Sequence, residues 1–175
     1  LNPQIKILDD WLPLAQFEPL ADFLSSNEFP WYFNDTINGW DQETPSNPLT
    51  NFQFTHMFIR DAVPVSHYLS EIMPLIVTLE AIAVLRCKAN LNPVCAAQSD
   101  AGMHVDYTSP MTTAIFYLNS NNGGTAFEDG SFTQSKANRL VIFPSNVLHS
   151  SRGCTDAKRR LVLNFNYITE ANLRG

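Results

Sequence analysis

Cysteine is scarce in this chain: Cys87, Cys95 and Cys154 make an odd number, with no C-x-x-C spacing. A disulfide framework is therefore not expected, and free thiols in a reducing, cytoplasmic compartment are. Glycine is sparse too, at 7 of 175 residues, which rules out collagen-like and Gly-rich low-complexity chains. Charged residues make up 16%, and acids outnumber bases 17 to 11, for a formal charge of −6. With no global basic field to neutralise a phosphate backbone, no nucleic-acid partner is expected. No apolar run is long enough to span a bilayer, and no basic segment followed by an apolar one opens the chain, so no membrane association is expected. Leu1 in place of Met leaves open a leader removed before it.

What is present is a chain 45% hydrophobic, with 12 Phe and 11 Pro, the profile of a globular protein rich in strands and turns. The length fits one domain with a sizeable core. Leu14, Phe17, Leu20, Phe23 and Leu24 recur at helical spacing before a Ser25-Ser26-Asn27 stop. Trp31, Tyr32 and Phe33 open a short strand. Residues 34–51, rich in Asn, Asp, Thr and Pro, read as a long surface loop of the kind that forms lids or binding walls. Residues 52–59 have strand character. Residues 65–81 carry Tyr68, Leu69, Ile72, Leu75, Ile76 and Leu79 on a helical face, which Pro74 is expected to break or kink. Beyond Ala83 come eight short apolar runs between polar clusters: 84–91, 102–106, 112–119, 124–128, 131–134, 139–143, 147–150 and 160–167. Eight such strands after a helical start predict a mainly β jelly roll with N-terminal α-helices packed on one sheet.

His104 and Asp106 stand two apart at the end of a predicted strand, so alternation puts both on one face, within reach of a single metal. A third candidate ligand, His149, ends the 140–148 run. Two imidazoles and one carboxylate form the facial triad of non-haem Fe(II), which leaves positions open for other ligands. An exposed strand end carries H-x-D by chance often enough that the pair alone is weak. His56 and His67 have no partner at ligand spacing and read as structural or solvated.

After His149 a polar turn holds Arg152, Lys158, Arg159 and Arg160 and leads into the apolar strand 161–167. A guanidinium at that strand's start can clamp a carboxylate. H-x-D, a distal His, then Arg entering a strand resembles the Fe(II)/2-oxoglutarate oxygenase superfamily, closest to its prolyl 4-hydroxylase-like branch. The likeness spans residues 86–167. It includes Ile115-Phe116-Tyr117-Leu118-Asn119, then Gly123-Gly124-Thr125, then the 138–145 run, in the family's order. It implies a double-stranded β-helix, cupin-like, as a single domain over 1–175, with 1–83 as helical support and 84–167 as the jelly-roll core.

By the same likeness, His104, Asp106 and His149 hold Fe(II) and serve catalysis. The distal carboxylate of 2-oxoglutarate goes to Arg160 and Tyr117, and alternation adds Thr113 and Ile115 to that inward face. Counting back from Tyr167 selects Arg160, with Arg159 as the fallback. The implied activity is a dioxygenase that hydroxylates an unactivated C–H bond with O2, decarboxylates 2-oxoglutarate to succinate, and takes ascorbate as reductant. The implied substrate is a prolyl residue in a peptide or protein, or else a free amino acid or other small molecule. A non-catalytic jelly-roll binding module is the alternative from another class. Asp106 speaks against a halogenase, where a small residue frees a site for halide. Leu163, Asn164 and Phe165 stand where nucleic-acid demethylases of the superfamily carry a further arginine. One departure stands out: Asn90 or Asn92 occupies the place of a pocket tyrosine in related prolyl hydroxylases.

Overall fold

A computed structural model of the chain describes residues 5–37 and 51–174. In chain order the elements are β1 (Lys6–Leu8), α1 (Leu14–Ser25), β2 (Tyr32–Asn34), β3 (Gln53–Arg60), β4 (Val63–Pro64), α2 (Leu69–Thr78), β5 (Ala83–Pro93), β6 (Thr112–Tyr117), β7 (Gly124–Phe127), β8 (Phe132–Gln134), β9 (Arg139–Pro144), β10 (His149–Arg152), β11 (Arg159–Ile168) and α3 (Glu170–Arg174). A larger sheet has the order β1-β9-β6-β11-β5-β3-β2, with β4 beside β3, and a smaller sheet the order β10-β7-β8. All pairings are antiparallel. The fold is the expected double-stranded β-helix, or jelly roll. Residues before Ala83 add to it more than helices, since β1, β2, β3 and β4 all join the larger sheet. No helix among the described residues is long and apolar enough to cross a membrane.

Two apolar layers follow from strand alternation. On β11, Leu161, Leu163, Phe165 and Tyr167 pack into one cluster with Phe58, Cys87, Ala89, Phe116 and Leu140, against Phe17, Leu20 and Leu24 of α1 and Ile72 and Leu75 of α2. The opposite face of the sheet meets the smaller sheet through Ile115, Tyr117, Phe127, Val141, Phe143, Val147 and Val162. The helices thus cover one face of the larger sheet, and the site forms on the other.

Several expectations are corrected. Residues 102–106 form no strand; within them His104 makes an isolated bridge to His149 of β10, and Asp100, just ahead of them, bridges to Arg152. The second helix is shorter than 65–81 and runs through Pro74. Pro74 is exposed, as is Ser70, whose carbonyl loses its helical partner there and can turn to water. Leu14, counted on the buried face of the first helix, is 62% exposed. Gly123 and Gly124, whose part in the likeness was only their order, sit where the backbone packs closely. A Cβ on Gly123 would lie 2.7 Å from the Arg152 carbonyl, and one on Gly124 would run into the Thr133 carbonyl. Residues 38–50 of the predicted loop lie outside the described residues.

One side chain ties the N-terminal segment to the barrel. Asn138, at a positive φ of 62°, bonds the Leu12 backbone from both ends of its amide. Its Nδ2 donates to the Leu12 carbonyl at 2.8 Å, and its Oδ1 accepts from the Leu12 N–H at 3.0 Å. Asn138→Ala would leave both buried backbone groups unpaired and put an alanine in the left-handed region. We expect a stability loss of roughly 2–4 kcal/mol by urea denaturation. A loss within experimental error would show that the clamp contributes nothing.

Candidate metal and carboxylate site

His104, Asp106 and His149 come together with ligand atoms within 4.8 Å of one another. The bridge between residues 104 and 149 does the positioning: each backbone N–H donates to the other's carbonyl at 2.9 Å. The ring centroids lie 4.5 Å apart. Each imidazole uses Nδ1 on a backbone carbonyl, His149 on Val147 at 2.9 Å and His104 on Gly102 at 3.4 Å. A carbonyl only accepts, so Nδ1 carries the proton and Nε2 is left as a ligand atom. Burial pushes His104 down to about 4, helped by His149, against the pull of Asp106, so its imidazole is neutral near pH 7.

Asp106 is nearly enclosed, its side chain 5% exposed. Burial works against its charge, but the Arg86 guanidinium, then His149, the Asn166 hydrogen bond and His104, hold the carboxyl well below the usual range. Arg86 reaches Oδ1 at 2.6 Å. Thr113 Oγ1 and Asn166 Nδ2 donate to Oδ2 at 3.0 and 2.9 Å. The donor set, one anionic carboxylate and the Nε2 atoms of two imidazoles, fits a divalent metal such as Fe(II).

The triad borders a cavity of about 400 Å³ between the two sheets. Arg160 lies on the same cavity, 2% exposed. Its guanidinium sits over the Tyr117 ring, 5.4 Å from the centroid, and donates to Ser151 Oγ at 3.0 Å and Asn92 Oδ1 at 3.3 Å. Among the described residues no carboxylate pairs with it, and its Nε and the Asn92 Nδ2 have no partner. A buried cation without a counter-ion, flanked by an idle donor, suits a ligand carboxylate.

Other predicted residues fall out differently. Ile115 lines the cavity. Thr113 does not; its hydroxyl is used on Asp106 and is shared with Ser145 at 2.9 Å. The Tyr117 hydroxyl bonds Thr125 Oγ1 at 2.7 Å, and the Arg160 guanidinium stands over the Tyr117 ring. Arg159 points away and donates to the Ser25 carbonyl, and Arg152 grips Asp100. His56 bonds the Pro30 carbonyl and Ser66, while His67 is exposed. Of the predicted loop, Asn34, Thr36 and Ile37 line the cavity.

Sequence reasoning missed Arg86, Lys88, Asn164 and Asn166. The signal was available as polar residues at every second position of β5 and β11, where a buried strand would otherwise be apolar.

Arg86→Gln should destabilise the metal-free protein by about 2–4 kcal/mol, since Asp106 then stays buried with its main counter-charge gone. The depressed Asp106 contributes stability above its unfolded pKa and loses it as pH falls, so raising its folded pKa should move acid unfolding to higher pH. Added Ni(II) should recover part of the loss. Denaturation with and without metal at several pH values tests this, and an unchanged acid midpoint would contradict the role given to Arg86. Asp106→Ala and His149→Ala should each abolish stoichiometric metal uptake, read by equilibrium dialysis.

No family model matches the chain, and no curated protein matches its sequence. Solved structures do match in fold. A prolyl-4-hydroxylase from Pseudomonas putida aligns at a TM-score of 0.60 and 18% identity, over 95% of this chain and 93% of that one. An oxidoreductase of the 2OG-Fe(II) oxygenase family from Burkholderia pseudomallei gives 0.66 at 14% identity, over 95% and 85%. HygX from Streptomyces hygroscopicus, with nickel and 2-oxoglutarate bound, gives 0.57 at 10% identity, over 95% and 83%. The chain therefore shares the double-stranded β-helix of 2-oxoglutarate/Fe(II) oxygenase structures across nearly its whole length.

Proposed function

We propose that this chain is a non-haem Fe(II) dioxygenase that uses 2-oxoglutarate to hydroxylate an unactivated C–H bond. The observation that carries the reading is the buried Arg160, with no counter-ion among the described residues, on the same cavity as the His104, Asp106 and His149 cluster. A metal group and a separate carboxylate receptor on one cavity are what a chelating dicarboxylic cosubstrate requires. One fold neighbour, HygX, has nickel and 2-oxoglutarate bound.

His104, Asp106 and His149 would hold the iron, each through one atom. Iron with 2-oxoglutarate supplies the oxidising power: O2 is split between succinate and the hydroxylated product, with loss of CO2. Arg160 and Asn92 would hold the distal carboxylate, the guanidinium by charge and the Asn92 Nδ2 as an extra donor. Tyr117 supports Arg160 from below through its ring. Arg86, Thr113 and Asn166 fix the Asp106 carboxylate so that it presents one rotamer to the metal. Ile115 and Val162 supply apolar wall and help exclude water.

Incubation with iron, ascorbate, O2 and 2-oxoglutarate should release succinate, slowly without substrate. Arg160→Ala should raise the 2-oxoglutarate concentration needed by about tenfold or more, as expected for loss of a charge-assisted bond. No succinate under any condition, with metal bound, would favour a binding module over an enzyme.

A further inference from the structure

The cavity holds more polar groups than the cosubstrate can use. Along β5, alternation turns Arg86, Lys88, Asn90 and Asn92 into it, and along β11 it turns Arg160, Val162 and Asn164. Asn92 stands opposite Arg160 at one end, and Lys88 stands opposite Asn164 at the other. Asn92 is four positions along the strand from Lys88, about 13 Å when extended. Lys88 is thus remote from the proposed seat of the distal carboxylate. It lies next to the rung formed by Arg86 and Asn166, the two residues that hold Asp106.

The Lys88 side chain makes no hydrogen bond or ion pair with any described residue, although Asp106 is close enough to act on its charge. Burial, and then Arg86, push its ammonium down to about 8. Asn90 Oδ1 and Asn164 Oδ1 are buried acceptors without a donor among the described residues. The Asn164 orientation follows from its Nδ2, which faces Asp106 Oδ2 at 3.5 Å. Near the metal group, then, one cation and two acceptor oxygens await a ligand that is at once an anion and a hydrogen-bond donor. A peptide-bonded prolyl ring offers neither a charge for Lys88 nor an N–H for the asparagines.

We propose that the substrate is a small free amino acid, its carboxylate held by Lys88 and its ammonium by the amide oxygens of Asn90 and Asn164. This rests on the function proposed above and names its substrate class. A cavity of about 400 Å³ shared with a five-carbon dicarboxylate suits a molecule of that size. Binding through both charged ends would leave the side chain as the part turned to the iron.

The test uses the full chain loaded with Ni(II) and 2-oxoglutarate. The twenty L-amino acids, their primary amides, their N-acetyl forms and a capped proline-containing peptide are screened by ligand-detected NMR, with affinities from calorimetry. At least one free amino acid should bind about tenfold or more tighter than its own amide and its N-acetyl form. In Lys88→Met the preference for acid over amide should fall toward one, and Lys88→Arg should restore part of it. These ligand comparisons on the unaltered protein decide the matter even if a variant fails to fold. Binding of the capped peptide but of no free amino acid would overturn the proposal. So would an unchanged acid preference in Lys88→Met, or a fall in 2-oxoglutarate affinity alone, which would give Lys88 to the cosubstrate. Succinate release with iron, measured separately, reports on the oxygenase reading: its absence alongside selective amino-acid binding would sink that reading and leave a binding protein.

Discussion

A carboxylate taken out of water needs donors on every side, and Asp106 collects them from three strands far apart in sequence. Arg86 comes from β5, Thr113 from β6 and Asn166 from β11, and these strands are neighbours in the larger sheet. An unmatched charge there would cost several kcal/mol, on the order of the stability of a whole domain. The register of the central strands is therefore coupled to the state of one side chain. A slip of β11 by one residue would turn Asn166 toward the helices and Phe165 toward Asp106. At the other end of the same strand Arg160 sets a second electrostatic demand, with Asn92, Ser151 and the Tyr117 ring as its supports.

β11 thus works as a ruler between two chemistries. Its cavity side reads Arg160, Val162, Asn164, Asn166, and its helix side reads Leu161, Leu163, Phe165, Tyr167. The helices matter to the site indirectly: α1 and α2 bury the apolar half of this strand and so hold its polar half toward the metal group. The smaller sheet closes the space with His149, Ser151 and Thr125, each inward-facing by the same alternation.

How much of this could be read from the chain depends on the kind of signal. Strand alternation was enough to say that Arg160 and Arg159 face opposite ways, because Leu161 and Leu163 mark the core side. The helix over 14–25 and seven of the eight late strands were legible from periodicity and turn residues. The eighth, 102–106, was not, because its geometry comes from the single bridge of His104 to β10 rather than from a run of paired residues. His104 and Asp106 meet through that bridge and a turn, not through strand pleating. Pro74 does not end the helix, because a proline's lost hydrogen bond matters less where the orphaned carbonyl faces water. Arg86 and Lys88 were passed over because a basic residue in a strand normally reads as solvent-facing; the matching polar alternation on β11 is the signal that their side of β5 is the inner one. Thr113 was placed on the right face, but what its hydroxyl touches depends on Asp106, a contact between separate elements that no local pattern encodes.

β1 has only three residues, yet it pairs with β9 along Lys6, Ile7 and Leu8, while Ile5 enters the core between the sheets. It therefore covers the outer edge of β9, a strand whose Leu140, Val141 and Phe143 are buried. Trimming or displacing those few residues would bare a row of unsatisfied backbone groups beside an apolar strand, the kind of edge that recruits another chain. Losing Lys6–Leu8 would exchange a three-residue edge strand for the longer, more apolar edge of β9.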